Sequence, residues 1–293
     1  VSYLPMPVIT GFTSGIAVTI ALGQINNLSG LTSEGTTTIE KIVSYFTLEQ
    51  HINITALIIG AAVIVFMFAY PKKINQYFPS SLAAIILTTA ANMIFRFDVS
   101  VVGEIPKTVF LHDRLDLSAL ADWNTVKGMI IPAISIAALG LIESLLCGAS
   151  AGRMKNEKLN ANVELAAQGI GNMILPLFGG VPATAAIART SVAIKSGGQT
   201  RITSVVHSVI LLLSMFVLGG VMSMIPLSAL AGVLIVTAWR MNDWVSIKSI
   251  FGKKIKTAIL QYLITMIATV IFDLTAAIII GVAFSIIMFV VKV

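Results

Sequence analysis

Two ionisable groups stand where the flanking sequence is apolar. Glu143 lies in IAALGLIESLLCGAS and Arg189 in FGGVPATAAIART. A carboxylate among apolar and small residues is costly in hydrocarbon, and such a residue is by default a functional candidate. Glu143 could take up a proton, or ligate Na⁺ together with neighbouring hydroxyls and carbonyls. Ser144 is adjacent, and Cys147 falls one helical turn on, so it shares a face with Glu143. The alternative is a structural carboxylate paired to a neighbouring helix. Around Arg189 the chemistry is that of anion binding. Gly179, Gly180 and Pro182 break the chain, small residues follow, and the arginine lies just beyond. A helix that begins inside a membrane leaves its first N–H groups unpaired, and with the positive end of its dipole they favour an anion. An ordinary surface loop with Arg189 snorkelling to water is the other reading. Arg189 could complete an anion site or neutralise Glu143, and the two roles compete, because a tight pair silences the positive charge.

These groups must be carried by membrane helices. Of the 293 residues, 57% are hydrophobic and 11% charged, and the mean hydropathy is +0.95. A soluble domain carries about a quarter charged residues. The chain is therefore an all-α polytopic membrane protein. A window of about 20 residues, the length that crosses the hydrocarbon, predicts helices over 8–28, 52–70, 81–95, 127–150, 162–177, 184–194, 204–222, 226–238, 257–272 and 274–291. The short one, 184–194, suits a half-helix. Basic residues test the topology independently. With the first helix running outward, the inner loops hold the lysines and arginines of 72–73, 153–158, 195–201 and 240–256. Lys41, Arg96, Lys107, Arg114 and Lys127 fall outside. That asymmetry is the positive-inside pattern. Met6-Pro7 followed by Gly11 and Gly15 also echoes Ile225-Pro226 followed by Gly232. Two groups facing opposite ways across the membrane would read so.

Other chemistry is excluded or weak. The net charge of +6 is spread over short loops without interleaved aromatics, which argues against nucleic acid. One cysteine permits no internal disulfide, and His51, His112 and His207 lack ligand spacing, so no metal site is expected. GIGN at 169–172 follows no strand and precedes no lysine, so it is not a nucleotide loop. Gln168, Gly171 and Asn172 read as a small, polar helix-packing face. His207 reads as interfacial and Asp273 as a turn residue. Val1 to Pro7 do not read as a signal peptide, and the chain looks like an excerpt of a longer protein.

The run from Gly140 to Asp243, with GLIESLL, NVELAAQGIGNMILPLFGGVPATAAIARTSVAIKSGGQTR and IPLSALAGVLIVTAW, resembles the sulfate permease (SulP) family of anion transporters. The opening MPVITGFTSGIAVTIALGQI is similar to that family's fifth transmembrane helix.

The resemblance implies a 7+7 inverted-repeat fold with core and gate subdomains, of which this chain would be helices five to fourteen, without the cytoplasmic STAS domain. Residues 1–96 would be gate-type helices of an incomplete first repeat and 97–125 an extracellular loop. Residues 126–223 would be core-type helices of the second repeat, including the half-helix 184–194, and 224–293 its gate-type helices. The family holds its anion between two facing half-helices. The second maps to Thr184, Ala185, Ala186, Ile187, Ala188 and Arg189. Glu143 matches the acidic coupling position, with Ser144 and Cys147 beside it. Cys147 replaces a hydroxyl ligand of a sodium-dependent member, which favours H⁺ over Na⁺ as coupling ion. The expected activity is secondary transport of sulfate, bicarbonate or a dicarboxylate by alternating access. It involves no covalent chemistry and no cofactor, and would take place as a homodimer in a bacterial inner membrane. A nucleobase permease of the same architecture is the alternative, although Arg189 suits it poorly; a non-transporting scaffold or fragment is another.

Overall fold

The computed structural model describes residues 6–33, 38–47, 51–75, 77–110, 114–115, 121–272 and 280. It is helical, and among the described residues the sole β feature is one isolated antiparallel bridge between Val101 and Pro226. The expected last helix, 274–291, and Asp273 lie outside the described residues.

The chain forms two compact units, one of residues 106–217 and one of 4–105 with 218–293. In the larger unit the elements are α1 (Met6–Gly23), α2 (Ile25–Ser29), α3 (Thr38–Thr47), α4 (Ile54–Ala69), α5 (Lys72–Asn75) and α6 (Ser80–Phe95). In the smaller unit are α7 (Trp123–Lys155), α8 (Ala161–Ile174) and α9 (Ile187–Lys195), and α10 (Ile202–Met222) carries the chain back. The larger unit then resumes with α11 (Leu227–Met241), α12 (Trp244–Gly252) and α13 (Lys256–Ile271). Three stretches are long and apolar enough to cross a membrane: Met6–Ser29, Trp123–Gly152 and Ile202–Met222. Four shorter helices, α4, α6, α11 and α13, are also apolar.

Three elements, α3, α5 and α12, fall outside the spans expected from hydropathy. α3 is amphipathic, and α5 and α12, of 4 and 9 residues, are too short to fill a membrane-length window. α7 also outruns its expected bounds at both ends. Asp122 caps it by accepting from the Asn124 and Thr125 N–H groups, and Asn156 ends it in the left-handed conformation at φ 56°.

Small residues let the larger unit pack closely. Val63 and Met67 of α4, Ala84 of α6, and Ala229 and Val236 of α11 form its core. α4 and α11 cross where a Cβ added to Gly232 would lie 2.7 Å from the Gly60 carbonyl oxygen. α1 meets α13 in the same way, since a Cβ on Gly11 would lie 2.5 Å from the Tyr262 carbonyl oxygen. Such approaches supply the dispersion contacts that hold helices together where lipid gives no hydrophobic drive. Polar ties fix the helix ends. Arg240 Nη2 donates to the Met67 carbonyl near the C-terminus of α4 at 2.8 Å, a favourable place for a cation. Asn53 caps α4 through Ala56 N–H and donates to the Asp98 carbonyl at 2.8 Å. α11 is anchored at its start, with Leu227 N–H donating to the Ser100 carbonyl at 2.9 Å.

Candidate functional site in the smaller unit

The break between α8 and α9 is built by local backbone chemistry. α8 tightens into a 3-10 turn, Leu175–Phe178, and Gly179 ends it at φ 80°, a conformation that glycine adopts without steric cost. Gly180 N–H donates back to the Leu175 carbonyl at 2.9 Å. The chain then runs without regular structure to Ala186, which is extended at φ −110° and ψ 113° and serves as N-cap of α9.

α9 begins at Ile187, three residues later than the expected start at Thr184. Thr184, Ala185 and Ala186 therefore precede the helix, and Arg189 stands in its first turn instead of a turn and a half along. The reason lies in how the break is held. Ala183 N–H donates to Asn172 Oδ1 at 2.8 Å, and Asn172 Nδ2 donates to the Ala183 carbonyl at 2.9 Å. Gln168 Nε2 donates to the same carbonyl. Thr184 Oγ1 donates to the Gly140 carbonyl of α7 at 3.2 Å and shares a 2.9 Å hydrogen bond with Ser144. With both groups of Ala183 and the Thr184 side chain engaged outside the helix, helical geometry sets in only after Ala186.

The first turn of α9 is open. Thr190 N–H makes the first helical bond, to the Ala186 carbonyl at 3.0 Å, and no side chain caps the terminus. Helical bonding therefore starts at Thr190, and the N–H groups ahead of it stand outside the helix's own ladder. The Arg189 side chain is exposed. An uncapped terminus with a guanidinium in its first turn has the donor set for an anion.

Of the residues expected to bind a coupling ion, Ser144 and Cys147 of α7 meet the break and α9 through hydrogen bonds. Ser144 is fully buried and Cys147 is 3% exposed; the Cys147 thiol donates to Thr190 Oγ1 of α9 at 3.3 Å. Glu143, half-buried beside them, forms no ion pair with Arg189; among the described residues the salt bridge is Lys155–Glu157. Among the described residues no cluster of three or more His, Cys, Asp or Glu side chains could hold a metal ion.

Gln168 and Asn172 were read from the sequence as packing residues, yet they clamp the break. Their spacing of four places both amides on one face of α8, and that was the available signal. Thr184 and Thr190 were legible as hydroxyls, but their partners on α7 were not.

Comparison with known proteins gives this geometry its context. The profile of the Sulfate permease family matches residues 1–268. A putative sulfate transporter of Bacillus subtilis, YvdB, is 34% identical over 98% of this chain and 54% of its own length. The bicarbonate transporter BicA of Picosynechococcus is 30% identical over 96% of this chain and 50% of its own. The chain thus spans about half the length of the curated relatives it matches. Among solved structures, the transmembrane domain of a cyanobacterial BicA aligns with a TM-score of 0.83 at 27% identity, covering 94% of this chain and 69% of that one. SLC26A9 shares the fold, with a TM-score of 0.82 at 21% identity over 99% of this chain and 47% of that one. An all-α, multi-pass membrane chain with this match over most of its length belongs to the sulfate permease family, whose members are transporters and not enzymes.

Proposed function

We propose that this chain is part of a secondary transporter of small anions, with the first turn of α9 as half of the anion site. The observation that carries the reading is the uncapped terminus after Ala186, held by the Gln168 and Asn172 clamp. The N–H groups of Ile187, Ala188 and Arg189, with the Arg189 guanidinium, meet the anion. The small side chains of Ala185 and Ala186 leave room for its approach, and Thr184 fixes the break to α7. A site made mainly of backbone donors suits sulfate, bicarbonate or a dicarboxylate alike. The relatives named for sulfate and for bicarbonate are consistent with that breadth.

Glu143 carries the coupling ion, and that ion is a proton. Supporting this, Ser144 already pairs with Thr184, and Cys147 with Thr190. Cys147 offers a thiol, a poor ligand for Na⁺, and of these side chains the Glu143 carboxyl is the one suited to gain and lose H⁺. Residues 106–217 act as the core-type unit and the remainder as the gate-type unit, with alternating access arising from motion between them, in a bacterial inner membrane and as a homodimer. Uptake of labelled sulfate, bicarbonate and fumarate into proteoliposomes under an imposed pH or Na⁺ gradient tests the reading in the full-length protein. One anion should accumulate with the pH gradient, lose affinity in Arg189→Ala and lose its gradient dependence in Glu143→Gln. No uptake of any anion, or variants that match the parent, would overturn it.

A further inference from the structure

The larger unit contains a slot away from this site. Met6, Pro7, Val245, Ile250, Ile255 and Ala258 line a cavity of about 350 Å³, with Ser246, Ser249 and Lys253 completing its wall. The lining is mostly apolar, yet one side is a lysine flanked by hydroxyls. The segment around it is strongly basic. Lys248, Lys253, Lys254 and Lys256 are all exposed, and no acidic side chain pairs with any of them among the described residues. The one nearby carboxylate in sequence, Asp243, is spent capping α12, accepting from Ser246 N–H at 3.0 Å and Ser246 Oγ at 2.6 Å.

Depth is marked as well. Trp239 and Trp244 pack with ring centroids 4.4 Å apart, and Trp244 Nε1 donates to the Trp239 carbonyl at 3.1 Å. Tryptophans with an apolar body and a bound polar tip gather at the level of lipid headgroups. Loop charge places this end of the larger unit on the inner side, the leaflet face where juxtamembrane lysines attract anionic lipid.

We propose that this slot is a binding site for an anionic phospholipid of the inner leaflet. Its acyl chain lies against Met6, Pro7, Ile250, Ile255 and Ala258, and its phosphate is held by Lys253 with Ser249, while Lys248, Lys254 and Lys256 raise the local positive potential. The occupant is a lipid and not free phosphate because the greater part of the wall is apolar and offers a small anion nothing. The inference is independent of which anion the α9 site carries.

The test uses the full-length protein reconstituted in phosphatidylcholine vesicles containing a minor share of phosphatidylglycerol, re-extracted gently and weighed intact. Phosphatidylglycerol should be retained several-fold beyond its share of the vesicle. Lys253→Gln, at an exposed position, should bring retention down to that share without lowering thermal stability in phosphatidylcholine alone. Ala258→Phe, which fills the slot and keeps every lysine, should do the same. Excess inorganic phosphate should not displace the lipid. Retention in proportion to the vesicle content, retention unchanged in Lys253→Gln, or displacement by phosphate would overturn the proposal. So would a photoreactive group attached at Ala258→Cys that couples to other residues of the chain instead of lipid.

Discussion

Arg189 is the residue on which anion affinity should depend most. A hydrogen-bonded contact to a charged group contributes about 2 kcal/mol, so Arg189→Ala should raise the KM for the anion about 30-fold while proton dependence persists. Glu143→Gln should behave oppositely, keeping binding but removing the response to an imposed pH gradient, read by uptake with and without the gradient. That separation follows from the absence of an ion pair between them. Gln168→Ala and Asn172→Ala act one step removed, through Ala183. Each should cost about 1 kcal/mol of stability. They should also raise KM without altering coupling, which a purely structural loss would not do selectively; thermal unfolding and uptake kinetics on the same samples separate the two. Glu143 and Arg189 were legible in the sequence because a charge in an apolar run announces its cost. The amide clamp was not. Its acceptor is a backbone carbonyl 11 and 15 residues away, and nothing in the identity of Ala183 advertises that role.

At the scale of elements, the glycine crossings and the caps are the points most sensitive to change. Gly232→Ala places a methyl against backbone that cannot yield cheaply, and should destabilise the protein in detergent by about 2 kcal/mol. Asp243 ties stability to pH. The Ser246 hydroxyl, and then its N–H, hold the Asp243 carboxyl below its ordinary value. Its contribution is therefore complete above the unfolded-state pKa and is lost as pH falls through the lower folded value. Asp243→Asn, which still caps but does not titrate, should flatten the acid limb of the melting profile. Asp243→Ala should cost about 1 kcal/mol near neutral pH. The apolar spans were readable because about 20 residues of hydrocarbon leave an unmistakable average. The start of α9 was displaced by three residues because tertiary hydrogen bonds, not an N-cap side chain, decide where it begins. α3 was lost because an amphipathic helix alternates faces and averaging erases it, and α5 and α12 because they are too short to fill the window.

For the molecule as a whole, the two units differ in how much of themselves they cover. The span in α1 and α2 is 39% buried, whereas that in α10 is only 6% buried. α10 therefore presents apolar side chains such as Leu211, Leu213 and Val217 to its surroundings. Since the curated relatives are about twice as long, this chain expressed alone should show no gradient-driven uptake where the full-length protein does, measured in matched proteoliposomes. Cys147 offers a way to follow the smaller unit in time. It is the single thiol of the chain, buried on α7 with its hydrogen directed at Thr190 of α9. While those helices stay in contact an alkylating reagent has no path to the sulfur, so the labelling rate becomes a clock for how often α9 lifts away. A bound anion that steadies the first turn of α9 should slow that clock, making occupancy readable from one native side chain without a labelled substrate.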